Sequence, residues 1–430
     1  MPKPESPTRR EFLKTSTVAA AGASLAGSLS IARSAHASVD DTLRVGLIGC
    51  GGRGTGAAGQ ALNADKNVKL VAMGDAFPDR LEGSLRGLRN EMGAKVDVTP
   101  ERCFHGFDAY KGVLNAGVDV VILTTPPHFR PMHLKAAIEA GRHVFCEKPV
   151  AVDAQGVRSV LETAELAKKK DLTIVSGLCW RYDLPKRETV KRIHDGAIGD
   201  VTAMHSTYLT GTLWHHARKP EWSEMEYQVR NWLYFTWLSG DHITEQHVHS
   251  LDKAAWIMHD EPPVSAIGIG GRQVRTGEQW GNIYDHFAIV FEYANGTKLF
   301  SSCRQMAGCQ DDVSDHIIGT NGSAHLLDRL TPDSISGPNK WKYSGPTPNM
   351  YQVEHNEMFA ALRAGKRIDN TLYMSRSTMM AIMGRTAAYT GQKILWDQMM
   401  ASKDDLTPPK YEWGPLPVAP VALPGMTRFV

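Results

Sequence analysis

The sequence predicts an α/β protein in two parts: a doubly wound parallel sheet, then an α+β domain built around an open, mainly antiparallel sheet. Three observations carry that expectation. Up to about residue 178, short β-branched apolar runs alternate with helical patterns, as parallel strands joined by right-handed crossovers require. The first run opens into a glycine-rich turn. Beyond residue 200 the strand-like runs follow one another and are broken at Asn-Gly pairs at 295–296 and 321–322, which fits hairpins. At 430 residues and 42% hydrophobic the chain can bury a sizeable core and is long for one domain. We divide it at 1–37, 38–178 and 179–430.

Residues 1–37 read as an address. They hold "TRREFLK" from Thr8 to Lys14, an Ala/Gly/Ser/Leu stretch from about Thr17 to Ala32, and Ala35-His36-Ala37, a small-residue cleavage site. The paired arginines followed by Phe-Leu-Lys resemble a twin-arginine export signal. An ordinary Sec-type signal is the alternative, and the weakly apolar centre weighs against it. Cleavage would begin the mature chain at Ser38, in the periplasm. It removes five basic and two acidic residues, so 48 basic and 46 acidic become 43 and 44. A near-neutral chain without a basic stripe excludes nucleic acid and anionic membrane surfaces as partners. No later stretch reads as a membrane span. The six cysteines show no CxxC spacing and read as buried, inert thiols; only Cys303 and Cys309 are near enough in sequence to suggest a disulfide.

The first element of the mature chain, Leu43 to Ile48, is an apolar run of the kind a buried parallel strand needs. Gly49, Gly51 and Gly54, with Gly52 and Arg53 between them, give G-x-G-x-x-G at the strand-to-helix turn, a dinucleotide-binding Rossmann fingerprint. The next run ends in Asp75, 21 residues after Gly54. A carboxylate there can accept both ribose hydroxyls while the helix N-terminus cradles the pyrophosphate; the plainer reading is a turn or N-cap aspartate. Asp75 would repel a 2′-phosphate, so NAD is favoured over NADP, with Arg53 and Arg80 as cations on the other side.

Further runs at 118–127, 143–148 and 172–180 continue the sheet, with helices at about 128–140 and 153–169. Ligands on such a sheet bind beyond the carboxyl ends of the strands. That rule puts Thr125, Pro127, His128, Glu147 and Lys148 on one rim with the glycine loop. The alternative for Glu147 and Lys148 is an exposed, salt-bridged strand end.

The glycine turn, "TTPPHFRPMH" after the fourth strand, "AGRHVFCEKPV" and the "GLCWR" strand together resemble the Gfo/Idh/MocA oxidoreductase family, over most of the mature chain. The most specific element is E-K-P at Glu147, Lys148 and Pro149. The resemblance implies that Lys148 sits beside the nicotinamide and the substrate hydroxyl, and that Glu147 helps hold the nicotinamide ribose region. A lysine desolvated near a cationic ring has its neutral form favoured and can exchange a proton with a hydroxyl.

In the second part, a glycine-closed helix ("ETVKRIHDGAIGD") precedes the strand "VTAMHSTYLTG", an aromatic segment at 214–237, the hairpin runs, and helices at about 352–364 and 374–391. The densest chemistry lies in "GDHITEQHVHSLDKAAWIM", residues 240–258, whose apolar spacing predicts one helix with Glu245, His249 and Asp252 on neighbouring faces. Family members usually carry D-x-G-x-H-x-x-D here, which implies His249 as general base or acid and Glu245 in the orienting Asp position. His247 replaces the Gly and, with Arg181, Tyr182 and Asp252, is expected on the substrate side. Two other readings stand beside this. His249 can be a core histidine, and His242, Glu245, His247 and His249 can ligate a metal, although no H-E-x-x-H occurs and the family needs none. The aromatic segment reads as a sugar-facing wall plus core.

Export adds a constraint. Free NAD is not expected outside the cytoplasm, so the cofactor must stay tightly bound and be regenerated in place. Twin-arginine export carries folded proteins, so a cofactor can travel loaded, as in a glucose–fructose oxidoreductase-like arrangement. The leading expectation is therefore an oxidoreductase acting on a sugar hydroxyl. The alternatives are an NAD-dependent glycosidase working by transient oxidation, elimination and re-reduction, with "CWRYD" at 179–183 as its pointer, and a non-enzymatic sugar-binding protein. An open antiparallel sheet also points to a homo-oligomer.

Overall fold

The structure, a computed structural model, describes residues 41–327 and 331–430. The twin-arginine signal and Ser38 lie outside the described residues. Six strands, β1 Leu43–Ile48, β2 Val68–Asp75, β3 Cys103–His105, β4 Val120–Leu123, β5 His143–Cys146 and β6 Ile174–Ser176, form a parallel sheet in the order β3-β2-β1-β4-β5-β6. The chain order reverses on either side of β1, so the crevice between β1 and β4 is the switch point where such sheets take ligands. The later strands are shorter than their apolar runs, because the polar ends leave the ladder for the rim. Besides the expected helices, Arg130–Glu139 and Ala154–Lys169, the crossovers include Pro78–Met92 and Ala109–Asn115, which we did not expect. Pro78–Met92 carries two glycines and buries only Leu81, Ser84 and Leu88, so its apolar stripe is thin.

The second sheet has nine strands: β7 Val201–Thr210, β8 Ser265–Gly271, β9 His286–Glu292, β10 Lys298–Gln305, β11 Asp315–Gly319, β12 Gly322–Leu326, β13 Ser334–Ser336, β14 Trp341–Lys342 and β15 Ile394–Leu395. Their order is β14-β13-β12-β11-β7-β10-β9-β8-β15. Every pairing is antiparallel except β7 with β10. The β9–β10 turn uses Gly296 at φ +85°, as the Asn-Gly pair requires. The second turn falls one residue earlier than expected: Gly322 pairs with Gly319 inside the ladder, leaving Thr320 and Asn321 as the loop. Gly322 answers to its neighbouring strand instead, since a Cβ there would lie 2.4 Å from the Ser336 carbonyl oxygen.

The chain beyond 178 also crosses back onto the first domain. Helix Met350–Arg363 returns to the first sheet, where Met350, Met358, Phe359 and Leu362 share a core with Val45, Leu47, Ala57 and Ala61. The C-terminal stretch also crosses back, with Trp413 stacked on Phe77. All six cysteines are free, Cys303 buried and Cys309 exposed. Among the described residues no helix is long and apolar enough to cross a membrane.

Candidate functional site

A cleft of about 880 Å³ opens at the switch point, within the size range of cofactor sites. The residues present fit a dinucleotide. Helix Gly52–Ala64 begins at Gly51 with no side-chain cap and no acid in its first turn, so its N–H groups and dipole are available to an anion. Two glycines are obligatory for the turn. Gly49 has φ +98°, and a Cβ on Gly54 would lie 1.9 Å from the Gly49 carbonyl oxygen. At Gly52 a Cβ would meet nothing within 4 Å, so the backbone there is open to a ligand.

Asp75 lines this cleft, and both its oxygens already accept from the backbone, Oδ2 from Cys50 N at 2.6 Å and Oδ1 from Phe77 N at 2.9 Å. Burial raises its pKa, while those N–H donors oppose the rise. The carboxylate thus fixes the shape of the glycine loop, as in the plainer reading, and keeps lone pairs for ribose hydroxyls. Arg53 also lines the cleft but is not a loose cation for a 2′-phosphate: it pairs with Glu147 and donates to Gln60 and Glu354, each at 2.8 Å.

Thr125 lines the cleft; Pro127 and His128 do not, being buried behind it, with His128 Nε2 2.8 Å from the Tyr411 hydroxyl. Glu147 is likewise buried and closed off, 3% exposed, with its carboxylate against Gly177 and Arg53. Burial alone would raise the Glu147 pKa, but Arg53, Lys148 and Arg130 outweigh it and hold the group ionised. Burial and the Glu147 charge push Glu354 well up, so one negative charge serves the two acids.

Lys148, beyond the end of β5, reaches residues 240–258. Its Nζ donates to the Glu245 carbonyl oxygen at 2.6 Å and to Glu245 Oε1 at 3.0 Å. His249 is 8% exposed, its Nδ1 has no hydrogen-bond partner, and burial, then Lys148 and Lys253, hold its pKa well below the usual value. The imidazole is therefore neutral at neutral pH and able to take a proton. The single helix expected over this stretch is broken into His242–Glu245 and Val248–Ile257. His247 N bonds back five residues to the His242 carbonyl oxygen, a wide turn that inserts one residue and rotates the second helix relative to the first. Asp241 caps the start of the first short helix, accepting from His242 N and Nδ1, Tyr284 N and the Tyr389 hydroxyl.

Family models match twice: one described as an oxidoreductase family NAD-binding Rossmann fold over residues 43–176, and one as the GFO/IDH/MocA C-terminal domain over residues 187–325. The chain belongs to the Gfo/Idh/MocA oxidoreductase family. It is 28% identical over 290 residues to inositol 2-dehydrogenase 3 of Saccharopolyspora erythraea, covering 67% of this chain and 74% of that one. To inositol 2-dehydrogenase of Rhizobium meliloti it is 26% identical over 320 residues, 74% of this chain and 86% of the relative. A levoglucosan dehydrogenase solved with NADH and levoglucosan superposes with TM-score 0.65 at 18% identity, over 83% of this chain and 99% of the other.

Against the Gfo/Idh/MocA pattern, Lys148 bonds Glu245 and lowers the pKa of His249, whereas the four residues expected on the substrate side are buried and bonded within the fold. Arg181 is locked between Asp252 (Nη2–Oδ1 2.8 Å) and Asp260 (Nη1–Oδ2 3.1 Å) and stacked 3.9 Å from the Tyr373 ring. Asp252 also accepts from the Ser377 hydroxyl at 2.7 Å. Tyr182 donates to Asn370, and His247 is fully buried with Nε2 2.6 Å from Ser301 Oγ. All four are bonded inside the fold; a buried charge needs a partner, and Arg181 and Asp252 find theirs in each other. His242 is spent on Asp241, and no group of three or more His, Cys, Asp or Glu among the described residues is placed to hold a metal. Sequence reasoning missed Glu354, which lies 301 residues from Arg53, and Arg230, whose only sequence signal is a cation inside the aromatic segment.

Proposed function

We propose that the protein oxidises and reduces a sugar or sugar-derivative hydroxyl with an NAD that stays tightly bound and is recycled in place, after export by the twin-arginine route. The pairing of Glu245 with Lys148, which follows β5 at the carboxyl end of the same sheet that carries the glycine loop, carries this reading, with His249 near enough for Lys148 to lower its pKa. The glycine loop and Asp75 would hold the NAD, which would supply hydride transfer to and from the substrate carbon. Lys148 donates to the reacting oxygen, and Glu245 keeps its ammonium oriented. Neutral His249 takes the hydroxyl proton directly or through Lys148. The named relatives act on inositol and levoglucosan, polyhydroxylated rings, which supports a substrate of that class. We extend the reading to a homo-oligomer, because the outer face of the second sheet exposes Ile267, Ile269, Phe300 and Ile318.

The test is to purify the folded protein from cells, denature it, and identify the released nucleotide. Sugars, cyclitols and nitrophenyl glycosides are then offered without added NAD. Bound NAD with turnover of paired sugars is expected. Absence of bound nucleotide, with none taken up on titration, rejects the reading; aglycone release without net cofactor reduction replaces it with redox-assisted glycoside cleavage.

A further inference from the structure

We infer that residues 214–232 form the second wall of the dinucleotide cleft and that Arg230 clasps this wall to the first domain; the inference rests on the dinucleotide reading of the cleft. The chain that leaves β7 brings Trp214, Lys219, Trp222 and Trp232 over the crevice, opposite the glycine loop. Arg230 stands where the two walls meet. Its Nη1 and Nη2 each donate at 3.1 Å to a different oxygen of Asp79, in the first turn of helix Pro78–Met92. Its Nε donates to Glu226 at 2.9 Å. The guanidinium carbon Cζ lies 3.9 Å from the Phe77 ring centroid on the first domain and 4.9 Å from that of Trp222 on the cover. Arg80 adds a bond to the Arg230 carbonyl oxygen at 3.3 Å.

A forked ion pair stacked between two rings is more rigid than a single lysine contact. It joins residues 75–79 to the 214–232 segment, both of which line the cleft. Phe77 is also backed by Trp413, at 5.2 Å between centroids. The cleft is thus a slot between two walls; with Arg53 paired to Glu147 and Arg230 to Asp79, the lining cations Arg80 and Lys219 remain to attract a pyrophosphate. Release of a dinucleotide needs the walls to part. Arg230 and Asp79 therefore set the dissociation rate, the quantity that in-place recycling demands be small.

The experiment follows exchange of bound NAD against isotopically labelled NAD in the full chain and in Asp79→Ala, Arg230→Ala and the double variant. Each single change is expected to speed release roughly 1.5-fold to fivefold, the range for a partly exposed charge pair, and the double variant to be no faster than the faster single. Asp79 is largely exposed, 63% for its side chain, so its variant isolates the clasp even if Arg230→Ala misfolds; circular dichroism and melting establish which variants are folded. Wild-type release from folded Asp79→Ala, or additive effects in the double variant, overturns the clasp while leaving the dinucleotide reading intact. A wild-type chain that binds no dinucleotide removes both.

Discussion

Replacing Gly54 by alanine tests the glycine loop most sharply. A Cβ there would sit 1.9 Å from the Gly49 carbonyl oxygen and 2.6 Å from Thr124 Oγ1, against an ordinary contact of about 3.5 Å, so the first turn must move by more than an ångström. Alanine gains about 1 kcal/mol over glycine in a helix. Overpacking of this kind costs about 1–3 kcal/mol, and the loop displaced is the one that carries the anion-facing N–H groups. We expect melting to fall by a few degrees and NAD affinity at least tenfold. Gly52→Ala, with nothing within 4 Å of its Cβ, should melt at or above the wild-type temperature. Differential scanning fluorimetry reads stability, and quenching of the tryptophans that line the cleft reads binding. A Gly54→Ala protein that melts and binds like wild type would refute the argument.

Three further outcomes are expected. Lys148→Ala should lower turnover at least about 100-fold, the usual share of general acid–base catalysis, while nucleotide still co-purifies; full activity on every substrate would mean the chemistry lies elsewhere. Arg181→Ala should cost about 3–5 kcal/mol, since it leaves Asp252 buried without its cation; in urea unfolding, a midpoint within error of wild type would contradict this. Burial holds His133 and His247 down at about 3 and His128 at about 4. Below about pH 6.5 the unfolded chain binds protons these rings refuse, so stability should fall by up to about 1.4 kcal/mol per pH unit for each ring until its folded pKa is reached. A flat urea midpoint between pH 7 and pH 4 would rule that out.

Reading along the chain worked where neighbours in sequence are neighbours in space. The strand–glycine–helix unit at 43–64 and the 286–305 hairpin are local, and their apolar runs and glycines have few alternative arrangements. It worked less well where a side chain's partner lies far away. Arg181 looked like a ligand contact because sequence shows the cation and not Asp252, 71 residues on. Arg53 likewise looked free because Glu147 and Glu354 are 94 and 301 residues distant. Residues 240–258 kept helical periodicity, yet the helix breaks between Glu245 and Val248, which the apolar spacing does not show.

The sequence by itself determined the parallel sheet, its glycine turn, the acid at the end of β2 and the lysine beyond β5, because period and spacing write these directly. Only the tertiary structure decided which charges are free to meet a ligand. It spends Glu147, Arg53, Arg181 and Asp252 on one another, brings Glu245 to Lys148, and sets Arg230 across the mouth of the cleft. A buried charge is stable only beside its opposite, and which opposite it meets is settled by how the sheets and returning helices pack.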